Sequence, residues 1–179
     1  MSMLIDKQKK IVILDIEGNS ASKKNELKIT QFSALILKDN QIEEINFYNR
    51  NVNLIPPIVQ KLTRISINKL KTSGLSERHL IKEIYNILLD ADIIYAYGYA
   101  FDKQIIKSML KKYEYPPLLV KWIDIQTIAK EKLQCQHLKL SILSKELGFS
   151  KEDFHNALTD CYAILHIIQY LDNQELIQV

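Results

Sequence analysis

Asp15 and Glu17 stand two residues apart near one end of this chain, and His155 and Asp160 stand five apart near the other. A further acid, Asp102, lies between the two pairs. Several acids gathered around a lone imidazole are the residue types that metal-dependent phosphodiester hydrolysis uses. Divalent cations take carboxylate oxygens, and an attacking water needs a base. Residues two apart on a strand point to the same side, so Asp15 and Glu17 are close enough to repel. A hard cation such as Mg²⁺ removes that repulsion, although two solvated acids at a strand end would fit the pattern too. Asp102 follows a β-rich run and opens an amphipathic stretch, where an acid is either a helix N-cap or part of a site at a strand's C-terminal end. Asp124 has the same context and is read as an N-cap. Five residues on a regular helix turn through about 140°. His155 and Asp160 therefore share a site only if His155 lies just outside the helix, on the loop that follows Gly148.

The elements that must position these residues are legible from pattern. Ile11 to Leu14 reads as a buried strand ending at Asp15 to Glu17. Ile29 to Leu37 and Ile42 to Tyr48 form a hairpin about Asp39-Asn40. Pro56-Pro57 opens a short helix over Ile58 to Leu62, and a second is expected near Ile67 to Leu70. Ser76 caps a helix from Glu77 to about Asp90. Asp92 to Tyr97 is a strand, Asp102 to Tyr113 a helix, Val120 to Ile123 a strand, and Asp124 to Leu133 a helix. Leu138 to Leu147 is a helix stopped by Gly148, and the last helix runs from about Asn156 to Leu171. A hairpin-containing half followed by alternating strands and helices gives an α/β fold. Its expected form is a mixed five-stranded sheet, the first three strands antiparallel and two more parallel to the first, with helices on both faces.

Composition sets the class. The 179 residues suit one domain (1–179), with 47% hydrophobic and 25% charged residues as in ordinary globular chains. A net charge of +3 permits a polyanionic partner without demanding one. Cys135 and Cys161 belong to no Cys-x-x-Cys pair and read as reduced thiols. No run approaches a membrane span and no apolar leader follows Met1 to Lys10, so a cytoplasmic protein without membrane partners is expected. Lys103, Lys107 and Lys111 read as a solvated helix face, Trp122 and Tyr95 as core, and Tyr99 as open between packing and stacking a base. His79, His137 and His166, with no carboxylate or cysteine at ligand spacing, read as structural or surface.

Asp15-x-Glu17, Ala100-Phe101-Asp102 and His155-x-Ala157-x-x-Asp160 together resemble the three motifs of the DEDDh family of 3′-to-5′ exonucleases. The likeness spans roughly residues 10 to 171. It implies a ribonuclease-H-like fold and two divalent cations, Mg²⁺ or Mn²⁺. Asp15, Glu17 and Asp160 would hold one cation, Asp15 and Asp102 would share the other, and His155 would take the proton from the attacking water. It further implies substrate contacts near Gly18, Asn19, Tyr99 and Phe101. The partner implied is the 3′ end of single-stranded DNA or RNA, with nucleoside monophosphates released. A polymerase or a second copy of the chain is left open as a protein partner. Gly18-Asn19-Ser20 stands where many members carry threonines, and Gly98 where many carry Asn, which changes the pocket around the 3′ end. The competing reading is a catalytically silent nucleic-acid-binding or polymerase-accessory module on the same fold. A complete acid set speaks against it.

Overall fold

The computed structural model describes residues 4–19, 27–133 and 138–177, without the side chains of 174–177. Ser20, Cys135 and His137 lie outside the described residues. A five-stranded sheet is ordered β3-β2-β1-β4-β5, the strands being β1 (Ile11–Gly18), β2 (Ile29–Lys38), β3 (Gln41–Tyr48), β4 (Ile93–Ala96) and β5 (Lys121–Asp124). β1 pairs antiparallel with β2, and β2 with β3. On the other side β1 pairs parallel with β4, and β4 with β5. Asp39 and Asn40 both take positive φ in the two-residue β2–β3 turn, the geometry that matches the twist of a hairpin. The mixed sheet expected from the sequence is the one found.

Strand β1 shows why both layers exist. Its β-branched residues alternate between two cores. Val12, Leu14 and Ile16 pack into one with α3 (Glu77–Leu89) and α4 (Ala100–Lys112). Ile11 and Ile13 face the other, built from α5 (Ile125–Leu133), α6 (Leu140–Glu146) and α7 (Ala157–Ile177). The helices present apolar stripes at helical spacing: Leu80, Ile81, Ile84 and Leu88 on α3, and Ile105, Ile106, Met109 and Leu110 on α4. The short α1 (Pro57–Thr63) and α2 (Ile67–Ser73) close a small satellite core with Tyr48, Val52 and Ile55. Ser76 caps α3 by accepting from the His79 N–H at 3.4 Å, as its position suggests.

Several sequence expectations need correction. β1 does not stop among the acids but runs through both of them to Gly18, because pairing with β2 continues to Glu17–Gln31 before the register shifts. α4 starts at Ala100, so Asp102 sits inside its first turn and is not an N-cap; Tyr99 holds that position. α6 begins at Leu140, and α7 extends to Ile177, beyond Leu171. Trp122 is half-buried at the margin of a core. His79 does have a carboxylate partner, since its Nε2 lies 3.2 Å from Glu83 Oε1 one helical turn on. Asp124, by contrast, takes the capping role read for it: Oδ1 accepts from the Gln126 N–H at 2.9 Å.

That same Asp124 oxygen accepts from the Gly98 N–H, also at 2.9 Å, fixing the turn that carries the chain from β4 into α4. Gly98 has φ +68, a region costly for residues with a Cβ other than Asn and Asp. A Cβ there would meet only the end of the flexible Gln126 side chain, at 3.3 Å. Gly98→Ala should therefore lower stability by about 1–2 kcal/mol, while Gly98→Asn should cost clearly less. Urea denaturation of the two variants beside the wild type measures the difference.

Candidate active site

The face of β1 that carries Ile11 and Ile13 into the core continues, two and four residues on, with Asp15 and Glu17. α7 lies along this face. Ile164, Ile167, Ile168 and Leu171 pack in the apolar core, and one turn earlier Asp160 arrives over the acidic end of the strand. One carboxylate oxygen from each of Asp15, Glu17 and Asp160 lies within 4.8 Å of the others. Asp102 comes from the opposite layer. The β1–β4 ladder stops at Ile13–Tyr95, so the β1 edge beyond it lacks a strand partner, and the Ile16 N–H donates to the Asp102 carboxylate instead. The acids thus meet where neighbouring strands part, at the strands' C-terminal ends, a usual place for sites in sheets of this kind.

Their electrostatics are those of a crowded anionic cage. Burial raises the Asp15 carboxyl well above the usual carboxylate range, and the charges of Asp102, Asp160 and Glu17 add to the effect. Glu17 is pushed up to about 8 by burial, then by Asp160 and Asp102. Asp102 and Asp160 are each pushed up to about 7, chiefly by burial, with backbone N–H donors pulling the other way. Asp160 uses Oδ2 to accept the His155 N–H at 3.2 Å, while its Oδ1 is buried with no hydrogen-bond partner. A buried, orphaned carboxylate oxygen facing two more carboxylates is the donor set that a hard divalent cation fits.

His155 stands just before α7, as its separation from Asp160 requires, with φ +65. The segment is held by a polar relay. Asn156 Oδ1 accepts from the Leu158 N–H at 3.2 Å, and Gln31 of β2 donates from Nε2 to the same oxygen at 3.2 Å. Gln31 Oε1 in turn accepts from the Ala157 N–H at 3.4 Å. Partial burial and the nearby Lys139 cation lower the His155 pKa below its ordinary 6.5, favouring the neutral imidazole.

Asp15, Glu17, His155 and Asp160 line one cleft of about 210 Å³, together with Tyr97, Lys139, Ser141 and Phe154. The sequence pattern does not single out these last residues as site components. A lysine before a short apolar helix carries no signal of its own. Their placement depends on α6 docking, through the Tyr97 hydroxyl donating to the Leu138 carbonyl at 2.9 Å. Gly18, Asn19, Tyr99, Phe101 and Asp102 fall outside that lining. A Cβ on Gly18 would stand 3.2 Å from Phe101 Cζ, so the exposed Phe101 ring borders the acidic strand end. Asn19 is buried and braces the loop, accepting from the Lys28 N–H at 2.8 Å and donating to the Leu54 carbonyl at 3.4 Å. The Tyr99 ring packs against Trp122, with centroids 5.8 Å apart, on the other side of the sheet.

Comparison with known proteins agrees with this geometry. Residues 12–168 match the exonuclease family typified by RNase T. The chain is 29% identical over 166 residues to a PolC-type DNA polymerase III of Clostridium perfringens, covering 89% of this chain and 11% of that protein. It is 27% identical over 160 residues to the 3′-5′ exonuclease DinG of Bacillus subtilis, covering 86% and 16%. The chain therefore spans less than a fifth of these relatives' length. Among solved structures, the zinc-bound E. coli ExoI–ssDNA complex superposes with a TM-score of 0.80 at 17% identity, over 92% of this chain and 40% of that one. Among the described residues, no helix is long and apolar enough to cross a membrane.

The cage has a consequence for stability. Each of the four acids binds its proton more tightly folded than unfolded, so ionising them opposes folding. Their destabilising effect is absent below about pH 4 and grows as pH rises toward about 8. In EDTA, the melting temperature should fall by ~5 °C or more between pH 5 and 8, and millimolar Mg²⁺ or Mn²⁺ should restore it at pH 8. Asp15→Asn should flatten the pH dependence in EDTA. Differential scanning calorimetry across this range checks each point.

Proposed function

The chain belongs to the exonuclease family, and on that premise we propose that it hydrolyses phosphodiester bonds at the 3′ ends of single-stranded DNA or RNA, releasing nucleoside monophosphates. The observation that carries this reading is the meeting of Asp15, Glu17 and Asp160 within 4.8 Å, with His155 lining the same cleft. Chain 1–179 is taken to be one catalytic domain acting in the cytoplasm. The ssDNA carried by the ExoI structure, and the polymerase to which PolC belongs, suggest a single strand as substrate and a polymerase as a conceivable partner.

The residues divide the work by chemistry. Asp15, Glu17 and Asp160 would hold one divalent cation, and Asp15 with Asp102 a second, Mg²⁺ or Mn²⁺. When bound, the cations would supply Lewis acidity, activating water and stabilising charge on the departing 3′ oxygen. His155, neutral near physiological pH, accepts the proton of the attacking water. Its backbone N–H donates to Asp160, which ties the residue to the start of α7. Lys139, on the cleft wall, suits the terminal phosphate. Phe101, exposed beside Gly18, offers an apolar face to the terminal base, with Gly18 letting the strand approach closely.

A 5′-labelled single strand incubated with Mg²⁺ or Mn²⁺ should shorten stepwise from its 3′ end. Asp15→Ala and Asp160→Ala should lower the rate by ~10³-fold or more, and EDTA should abolish it. His155→Ala should cost ~10²–10⁴-fold in kcat. In the wild type, kcat/KM should rise with pH through a limb below 6.5 and then level off, since the base must be unprotonated and its pKa is lowered. His155→Ala should remove that limb. Internal fragments would instead indicate an endonuclease, and binding without cleavage a silent module.

A further inference from the structure

A second concavity, of about 670 Å³, lies between α4 and the segment leading into β5, and none of its lining belongs to the acidic cleft. Its walls are largely apolar: Ile106, Leu110, Pro117, Leu118 and Trp122. Lys103, Lys107 and Lys111 follow its rim at four-residue spacing, the side-by-side spacing of a helix face. Counted around α4 from Asp102, Lys103, Lys107 and Lys111 lie about 100°, 140° and 180° away, so the lysine rim turns away from the acids, while Ile106 and Leu110 at about 40° and 80° form the buried floor between. Lys107 and Lys111 have no carboxylate partner among the described residues. Glu114 is the acid among the lining residues, at the far end of the stripe.

Two polyanions fit a lysine-rimmed groove, and the aromatic rings decide between them. A single nucleic-acid strand needs open ring faces for its bases. Here Trp122 is already covered by Tyr99, at 5.8 Å between centroids, and by the Lys103 ammonium at 5.8 Å. Tyr115 packs against Tyr85 as a tilted pair, with centroids 4.7 Å apart. What the groove leaves open is aliphatic wall and proline edge with cations above, which suits apolar side chains flanked by carboxylates. We propose that this groove docks a short acidic segment of a partner protein, its leucine or phenylalanine side chains resting against Pro117, Leu118 and Trp122, above the buried Ile106 and Leu110, and its aspartates or glutamates meeting Lys107 and Lys111. An apolar anchor in a pocket with a charged rim gives such a contact both affinity and register.

Trp122 is the chain's one tryptophan, so its emission reports directly on the groove. The probe is the peptide Asp-Asp-Leu-Phe-Asp-Asp-Leu, which contains no tryptophan, titrated into the full chain. Saturable change in Trp122 emission is expected, with binding weakened at least about tenfold by the double variant Lys107→Glu/Lys111→Glu. Glu114→Gln should tighten binding, and a peptide with serine at the apolar positions should bind at least about tenfold more weakly. All three lysine and glutamate changes are at exposed positions, and cleavage of a labelled oligonucleotide should stay within about twofold of wild type, showing intact folding. The proposal is overturned if emission does not saturate, if the lysine variant binds the peptide as wild type does, or if the serine peptide binds equally well. It is also overturned if oligothymidylate displaces the peptide and the lysine variant loses oligonucleotide binding, which would make the groove a strand track.

Discussion

Mutual repulsion among four carboxylates, held together with little water between them, is the constraint around which this fold is arranged. Burial raises each acid's pKa, and the charges of Asp102 and Asp160 raise Asp15 and Glu17 further. Such a cluster opposes folding unless something else keeps its members in place. The apolar layers on either side do so. Ile11 and Ile13, before the acids on β1, are fully buried against α7, and Ile164, Ile167, Ile168 and Leu171 on α7 are buried in the same core in return. The hydrophobic burial along the rest of strand and helix sets where their acidic ends lie, at roughly 1.5–3 kcal/mol for each large aliphatic side chain.

The same strain gives the site its chemical capacity. Carboxylates that prefer a proton in the absence of a cation suit a divalent cation, because one divalent charge relieves several repulsions at once. The orphaned Oδ1 of Asp160 fits this view, since a buried oxygen without a donor is unfavourable until a cation or proton reaches it. Asp160 also joins the acids to His155 through its other oxygen. Gln31 and Asn156 hold the start of α7 from the sheet side, between His155 and Asp160.

α4 serves two surfaces. Its first turn delivers Asp102 to the bare edge of β1, where the parallel ladder has stopped. Its outer side, about half a turn away, carries the lysines of the groove above β5.

The sequence by itself determined the sheet and its helices, because Ile11 to Leu14, the Asp39-Asn40 turn and the stripes on α3 and α4 are local periodicities that each element must obey. It also singled out candidate site residues, since Asp15-x-Glu17, Asp102 and His155-x₄-Asp160 are chemically unusual groupings in a fixed order. Only the tertiary structure decided that Asp102 reaches the acids through the Ile16 N–H and not as a cap, because the end of the β1–β4 ladder is a relation between strands 80 residues apart. It alone placed Lys139, Ser141 and Phe154 on the cleft wall, turned Asn19 into a loop brace, and drew Trp122 half out of the core to the side of a groove. Those outcomes depend on which surfaces of distant elements meet, and no periodicity within a single segment encodes that meeting.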